Sequence, residues 1–332
     1  MDWEGKSIRV GAAVVCCAVL LRLLAGGGFG KLISALTSPE AVSVMLFLET
    51  GRVVRPEPPE TTAPGATEGT VPELPEETEP PAGSDAPVQA VFSAGDARLV
   101  EVNNVCGLSM DVEESLTQKL SWDLTSTGPT VLILHSHATE SYENAKAMNY
   151  RSQDKQYNMI SIGDRLVQVL EAGGVKAVHD RQLHDSPSYN ASYGNARESI
   201  EEYLKAYPTI RLVLDIHRDA VEAADGEQLG FTVGSAAQLM LVVGTDASGL
   251  SHPGWPENMS LAVKLHAQLE KNTPGICRPI SFRSQRFNQD LSPGALIVEV
   301  GAAGNTRQEA LEAVELLGQA VIDLAQGAAY RG

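Results

Sequence analysis

Four short apolar runs rich in β-branched residues limit what this chain can fold into more than any other feature. They are TVLIL (residues 130–134), IRLVLDI (210–216), QLMLVV (238–243) and ALIVEV (295–300). Each reads as a strand buried on both faces, because a half-exposed strand would alternate apolar with polar residues. The segments between them follow a different period. In ISIGDRLVQVLEAG (160–173), Ile162, Leu166, Val169 and Leu170 fall on one helical face and a glycine closes the pattern. Similar helical patterns cover residues 195–207, 260–271 and 306–326. Doubly buried strands alternating with amphipathic helices predict an α/β domain with a mostly parallel sheet and helices on both faces.

The chain ahead of that domain is of another kind. Residues 10–29, VGAAVVCCAVLLRLLAGGGF, approach the ~20 residues that span a bilayer and are interrupted only by Arg22, whose stem can snorkel toward the headgroups. A cleaved signal peptide with Lys6 and Arg9 as its charged start is the competing reading, and it exports the downstream chain equally well. Residues 56–87 hold nine of the 18 prolines and eight acidic residues, with no lysine, arginine or aromatic residue, so they form no core and act as an extended spacer. The expected organisation is a tail over 1–9, a transmembrane anchor over 10–29, a linker over 30–97 and one folded domain over 98–332. A formal charge of −17 provides no basic field for a polyanion, which argues against a nucleic-acid partner. Cys106 and Cys277 belong to no CxxC or Cys-His spacing, so a sulfur-based metal site is not supported. A disulfide between them stays open beside the ordinary fate of a free cysteine, which is burial as a small apolar residue.

In parallel α/β sheets, binding groups gather beyond the carboxyl ends of the strands. His135 and His137 follow TVLIL directly, and residues two apart on an extended chain point to one side. Glu140 comes three residues later, where the chain can fold back. His217 ends the IRLVLDI run, with Asp215 and Asp219 on its parity and Arg218 on the other. Glu299 is the only charged residue inside ALIVEVG. Imidazoles and carboxylates at three strand ends are the mixture that binds zinc with one position open to water. Taken singly, a strand-end histidine is more ordinarily a hydrogen-bonded structural residue, and no HExxH helix is present. Glu299 is sharper, since a glutamate among apolar neighbours loses hydration and requires a partner, a metal or a raised pKa.

The stretches VLILHSHATESY (131–142), HDSPSYNASYGNAR (184–197), DIHRDA (215–220) and FNQDLSPGALIVEVGAAGNT (287–306) closely resemble the stage II sporulation protein P family of endospore-forming bacteria. The resemblance implies a peptidoglycan hydrolase of engulfment, an N-acetylmuramoyl-L-alanine amidase with endopeptidase activity as well. It also implies a single-pass cell-membrane protein with its domain on the wall-facing, extracytoplasmic side, partnered by stage II sporulation proteins D and M. The implied fold is similar to that of zinc-dependent cell-wall amidases. Against those amidases, Glu299 in IVEVGAAGN matches the catalytic glutamate of a VEVGFLSN motif, and His217 matches their second histidine. Their first histidine falls within the HSH of this chain, where the strand register favours His137 over His135. Their metal-binding glutamate stands just before the first helix, where residues 158–162 carry no acid, and Glu140 is the nearest substitute.

The expected site is therefore Zn2+ held by His217, Glu140 and one of His135 and His137, with His137 favoured by register and Glu299 as acid and base. The histidine of the pair that does not ligate, His135 in that register, steadies the oxyanion, and Arg218 grips a stem-peptide carboxylate. A non-catalytic wall-binding scaffold and a glycan-cleaving enzyme using Glu140 and Glu299 are the competing functions.

Overall fold

The β-branched runs form the middle of a seven-stranded sheet whose spatial order is β1-β8-β7-β9-β4-β2-β3. The strands are β1 (Val102–Asn104), β2 (Val131–Leu134), β3 (Ala177–His179), β4 (Leu212–Asp219), β7 (Leu239–Val243), β8 (Ile280–Phe282) and β9 (Gly294–Ala302). β5 (Thr232–Val233) and β6 (Ala236–Ala237) make a separate small antiparallel pair. The structure is a computed structural model and describes residues 92–124, 126–142 and 150–327. The apolar run at 10–29 and the acidic spacer at 56–87 lie outside the described residues; among those described, no helix is long and apolar enough to cross a membrane.

All neighbouring strands of the large sheet are parallel except β7 and β9, which run antiparallel. The expected mixed α/β architecture with a mostly parallel sheet is what the chain adopts. Three strands of three residues each, β1, β3 and β8, were not legible as apolar runs because they are too short to show a period.

Among the described residues there are five α-helices: α1 (Val112–Thr117), α2 (Met159–Ala172), α3 (Ser192–Ala206), α4 (Trp255–Asn272) and α5 (Arg307–Gln326). The alternation of side chains along each strand divides the core. Val131, Ile133, Leu214, Ile216 and Val298 face α2, α4 and α5, while Leu132, Leu134, Val213 and Ala295 face α3 through Ala196 and Ile200. The helix ends follow from local chemistry. Thr306 and Glu309 form a capping box ahead of α5, and Gly327 closes it in the left-handed region that glycine adopts without strain. Asn158 caps α2 by accepting from the Ile160 amide.

The path of the chain creates one gap. From β2 it crosses by α2 to β3 on one side, then returns by α3 to β4 on the other side of β2, with the two crossover helices on opposite faces. The strand order thus reverses between β2 and β4, the switch point at whose carboxyl end open α/β sheets place their ligands. Cys106 and Cys277 are free thiols, located past the end of β1 and before the start of its parallel neighbour β8.

Candidate metal centre

At the switch point β2 ends at Leu134 and the chain turns over residues 136–139, closed by the Glu140 amide donating to the His137 carbonyl at 3.1 Å. That turn aims His137 and Glu140 at the end of β4. One nitrogen from each of His137 and His217 and one Glu140 oxygen lie within 4.8 Å of one another, all three residues buried. Glu140 Oε1 is 3.6 Å from His137 Nδ1 and its Oε2 is 3.5 Å from His217 Nδ1. These separations are long for hydrogen bonds and close to the edge of about 3.4 Å expected of a tetrahedron with bonds near 2.05 Å.

His217 is held from behind. Its Nε2–H donates to Asp215 Oδ1 at 2.8 Å, and the same carboxylate accepts the Ser136 amide at 2.7 Å and the Ser136 hydroxyl at 2.5 Å. Asp215 therefore ties the HSH turn to β4 and fixes the tautomer that leaves Nδ1 toward Glu140. That Nδ1 is buried and makes no hydrogen bond. A carboxylate behind a ligating imidazole is the usual support of a metal site, and His2Glu with one open position is a catalytic zinc ligand set. Burial alone would depress the His217 pKa, yet the Asp215 and Glu140 carboxylates outweigh it and push the imidazole up to about 10. The cluster favours positive charge, as a cation site should.

Glu299 is the Cα partner of His217 on the adjacent parallel strand and is 4 % exposed. The register then slips, with Asp219 opposite Ala302, so β9 carries an extra residue just past the glutamate, where Gly301 has φ 67°. A bulge at this place bends the strand end beside the site. Tyr189 stacks on His137 with ring centroids 4.4 Å apart, and the Arg151 guanidinium lies 4.3 Å over the Tyr189 ring. Tyr193 meets His137 edge-on at 5.4 Å and packs near Phe287 at 5.9 Å. These aromatics, together with Asp215 as a supporting carboxylate, went unassigned in the sequence. The signal available was the spacing of four residues between Tyr189 and Tyr193 at the start of α3.

The structure gives the remaining two candidates, His135 and Arg218, partners of their own. His135 does not share a side with His137, because the turn begins between them. Its Nδ1–H donates to the Ile216 carbonyl at 2.9 Å and its Nε2 meets His179 Nε2 at 2.9 Å, on the α2 face. Burial, with His179 beside it, lowers its pKa to about 3, so the imidazole stays neutral. Arg218 is next to His217 on β4, and its guanidinium reaches to 3.9 Å from Glu140 Oε1. Its Nε and Nη2 donate to the Ser141 and Tyr150 carbonyls at 3.0 and 2.8 Å, and its backbone amide donates to Glu140 Oε2 at 3.2 Å. Arg218, 5 % exposed, thus holds the strap that carries Glu140.

Residues 73–322 match the family described as stage II sporulation protein P. The chain belongs to that family. A Bacillus subtilis (strain 168) stage II sporulation protein P is 25% identical over 246 residues, covering 70% of this chain and 59% of the relative, so the chain spans about three-fifths of that protein's length. Solved structures similar to this family member include an N-acetylmuramoyl-L-alanine amidase of Nostoc punctiforme, 16% identical over 60% of this chain and 97% of its own, with a TM-score of 0.37. A second is the CwlD amidase of Clostridioides difficile in complex with the GerS lipoprotein, 14% identical over 60% of this chain and 96% of its own, with a TM-score of 0.39. A third is an N-acetylmuramoyl-L-alanine amidase of Clostridium difficile 630, 12% identical over 62% and 100%, with a TM-score of 0.40.

Proposed function

We propose that this chain is a zinc-dependent N-acetylmuramoyl-L-alanine amidase that severs stem peptides from the glycan of peptidoglycan during engulfment. One observation carries the reading: one nitrogen each of His137 and His217 and one oxygen of Glu140 lie within 4.8 Å of one another, all buried, with Glu299 one strand away. When bound, zinc supplies Lewis-acid polarisation of a carbonyl and acidifies water.

The chain's own residues do the rest. His137, Glu140 and His217 bind the ion, Asp215 orients His217, and Arg218 holds Glu140 in place through its backbone amide. Glu299 takes the proton of the attacking water and delivers it to the nitrogen of L-alanine. That second transfer is required because an unprotonated amine is a poor leaving group. Tyr193 and Phe287, both half-buried, give the crevice an apolar wall.

Family membership supports peptidoglycan as the substrate. The amide is favoured over the glycosidic bond because Glu140, 1 % exposed, lies between two imidazoles and Asp215 is taken up by Ser136 and His217, so neither is free to act as the second carboxylate of sugar chemistry. With this reading go a single membrane span at 10–29, a domain on the wall-facing side, and stage II sporulation proteins D and M as partners.

The test is metal analysis of the purified full chain. About one zinc per chain is expected, with activity on sacculi lost to a chelator and restored by zinc. Undiminished activity after complete metal removal would end the proposal.

A further inference from the structure

At the other end of the sheet lies a cavity of about 440 Å³ that the amidase chemistry does not use. It is bounded by α1, α4, α5 and the segment after α1, and it reaches Leu212 at the amino end of β4. His217 is five residues further along that strand, about 17 Å at the rise of an extended chain, so cavity and metal centre occupy opposite ends. Its walls are mainly apolar, with Leu116, Leu120, Leu265, Val321 and Leu324 among them.

Two buried hydrogen-bond donors break that apolar lining. Lys264 is buried and donates to the Ser115 and Leu116 carbonyls at the end of α1, and its ammonium lies 5.6 Å from the Phe92 ring. None of these partners is anionic, and an ammonium has a third proton to donate. Trp122 also lines the cavity, and its indole N–H is buried with no hydrogen bond. At the rim, Lys119 and the exposed Asp123 offset one another in formal charge.

A cation held only by neutral carbonyls and an unsatisfied indole N–H are each costly in an apolar enclosure. Burial depresses the Lys264 pKa to about 8, which expresses the same cost. One chemistry relieves both: an anionic acceptor brought in on an apolar body. We propose that this cavity is a binding site for an aliphatic carboxylate, its chain against the leucines of α1, α4 and α5 and its head group between Lys264 and Trp122. The volume falls in the range of small-ligand pockets, ~300–1,000 Å³. The inference is independent of the amidase reading.

Dodecanoate, below its micelle concentration, is the probe, titrated into the full chain by calorimetry and followed by thermal unfolding. Saturable binding at one site with a raised Tm is expected. Lys264→Met should weaken it roughly 10-fold or more, the scale of one charged hydrogen bond, and dodecanol should bind the native chain weaker by a similar factor. Trp122→Phe keeps the ring, loses the N–H and should weaken dodecanoate several-fold, which decides the matter if Lys264→Met fails to fold. Absence of saturable binding, equal affinity for dodecanol, or unchanged affinity in the folded variants would overturn the proposal.

Discussion

Glu299 and Asp215 are both buried carboxylates beside His217, but their surroundings give them different work. Asp215 is committed to three hydrogen bonds, whereas Glu299 lies level with His217 on the next strand. Glu299→Gln should therefore keep fold and zinc while losing about 100-fold or more in turnover, the usual scale for removing a general base. Loss of zinc in that variant would make Glu299 a ligand instead. Asp215→Asn should weaken zinc binding by roughly 10- to 100-fold, as expected when the group behind a ligating histidine is altered. Competition with a chromophoric chelator measures it, and unchanged affinity would mean that Asp215 does not orient His217.

The same pair makes a pH prediction for the metal-free protein. Burial would raise the Asp215 pKa, but His217 and Ser136 override it and hold the carboxyl down to about 2. A depressed carboxyl stabilises the fold above its unfolded value of about 3.9, and that contribution is lost as pH falls through the folded one. A raised imidazole stabilises below about 6.5, and its contribution is lost as pH rises through its folded value. That folded value is about 10 for His217. The cost of Asp215→Asn in chemical denaturation should thus be greatest between about pH 4 and 6.5 and shrink on both sides. A difference that stayed constant from about pH 2 to about pH 10 would contradict it.

At the scale of elements, close approach decides which residues the sheet and helices tolerate. A Cβ on Gly163 of α2 would sit 2.5 Å from His179 Nε2 and 2.6 Å from His135 Nε2. Alanine gains about 1 kcal/mol of helix propensity, but overpacking a buried site costs ~1–3 kcal/mol. Gly163→Ala should lower the Tm, while a rise would show that the two imidazoles can move apart freely. The packed core also extends back to Phe92, which is 5 % exposed and touched by Lys264 and Lys271. A chain beginning at residue 90 should be more stable than one beginning at 98 by about 3 kcal/mol, the cost of losing a buried phenylalanine. Equal denaturation midpoints would put the boundary later.

These elements also show what the sequence made legible. The four long strands and four longer helices carry strong periods, and Glu299 and His217 stand out as polar residues in apolar strands. Strand direction has no such mark, so nothing in QLMLVV reveals that β7 runs against β9. The parity rule fails for His135 and His137 because it holds only on extended chain, and the chain turns after His135. The partners of Arg218 were not legible for a related reason: its parity is plain, but the carbonyls that accept from its donors come from a strap distant in sequence.

On the scale of the whole molecule, one end of the sheet gathers imidazoles and carboxylates at a topological switch point, and the other end encloses an apolar cavity with a buried ammonium. Separation along the strands lets the two be altered independently, so Lys264→Met should leave zinc content unchanged while His217→Ala abolishes it. The identity of the cleaved bond matters most, and digestion of purified sacculi with the zinc-loaded full chain, with the products analysed by mass spectrometry, decides it. Stem peptides with a new free amine on L-alanine and intact glycan strands are expected, with no increase in reducing ends. New reducing or anhydro ends, with stem peptides still attached to the sugars, would refute the amidase assignment.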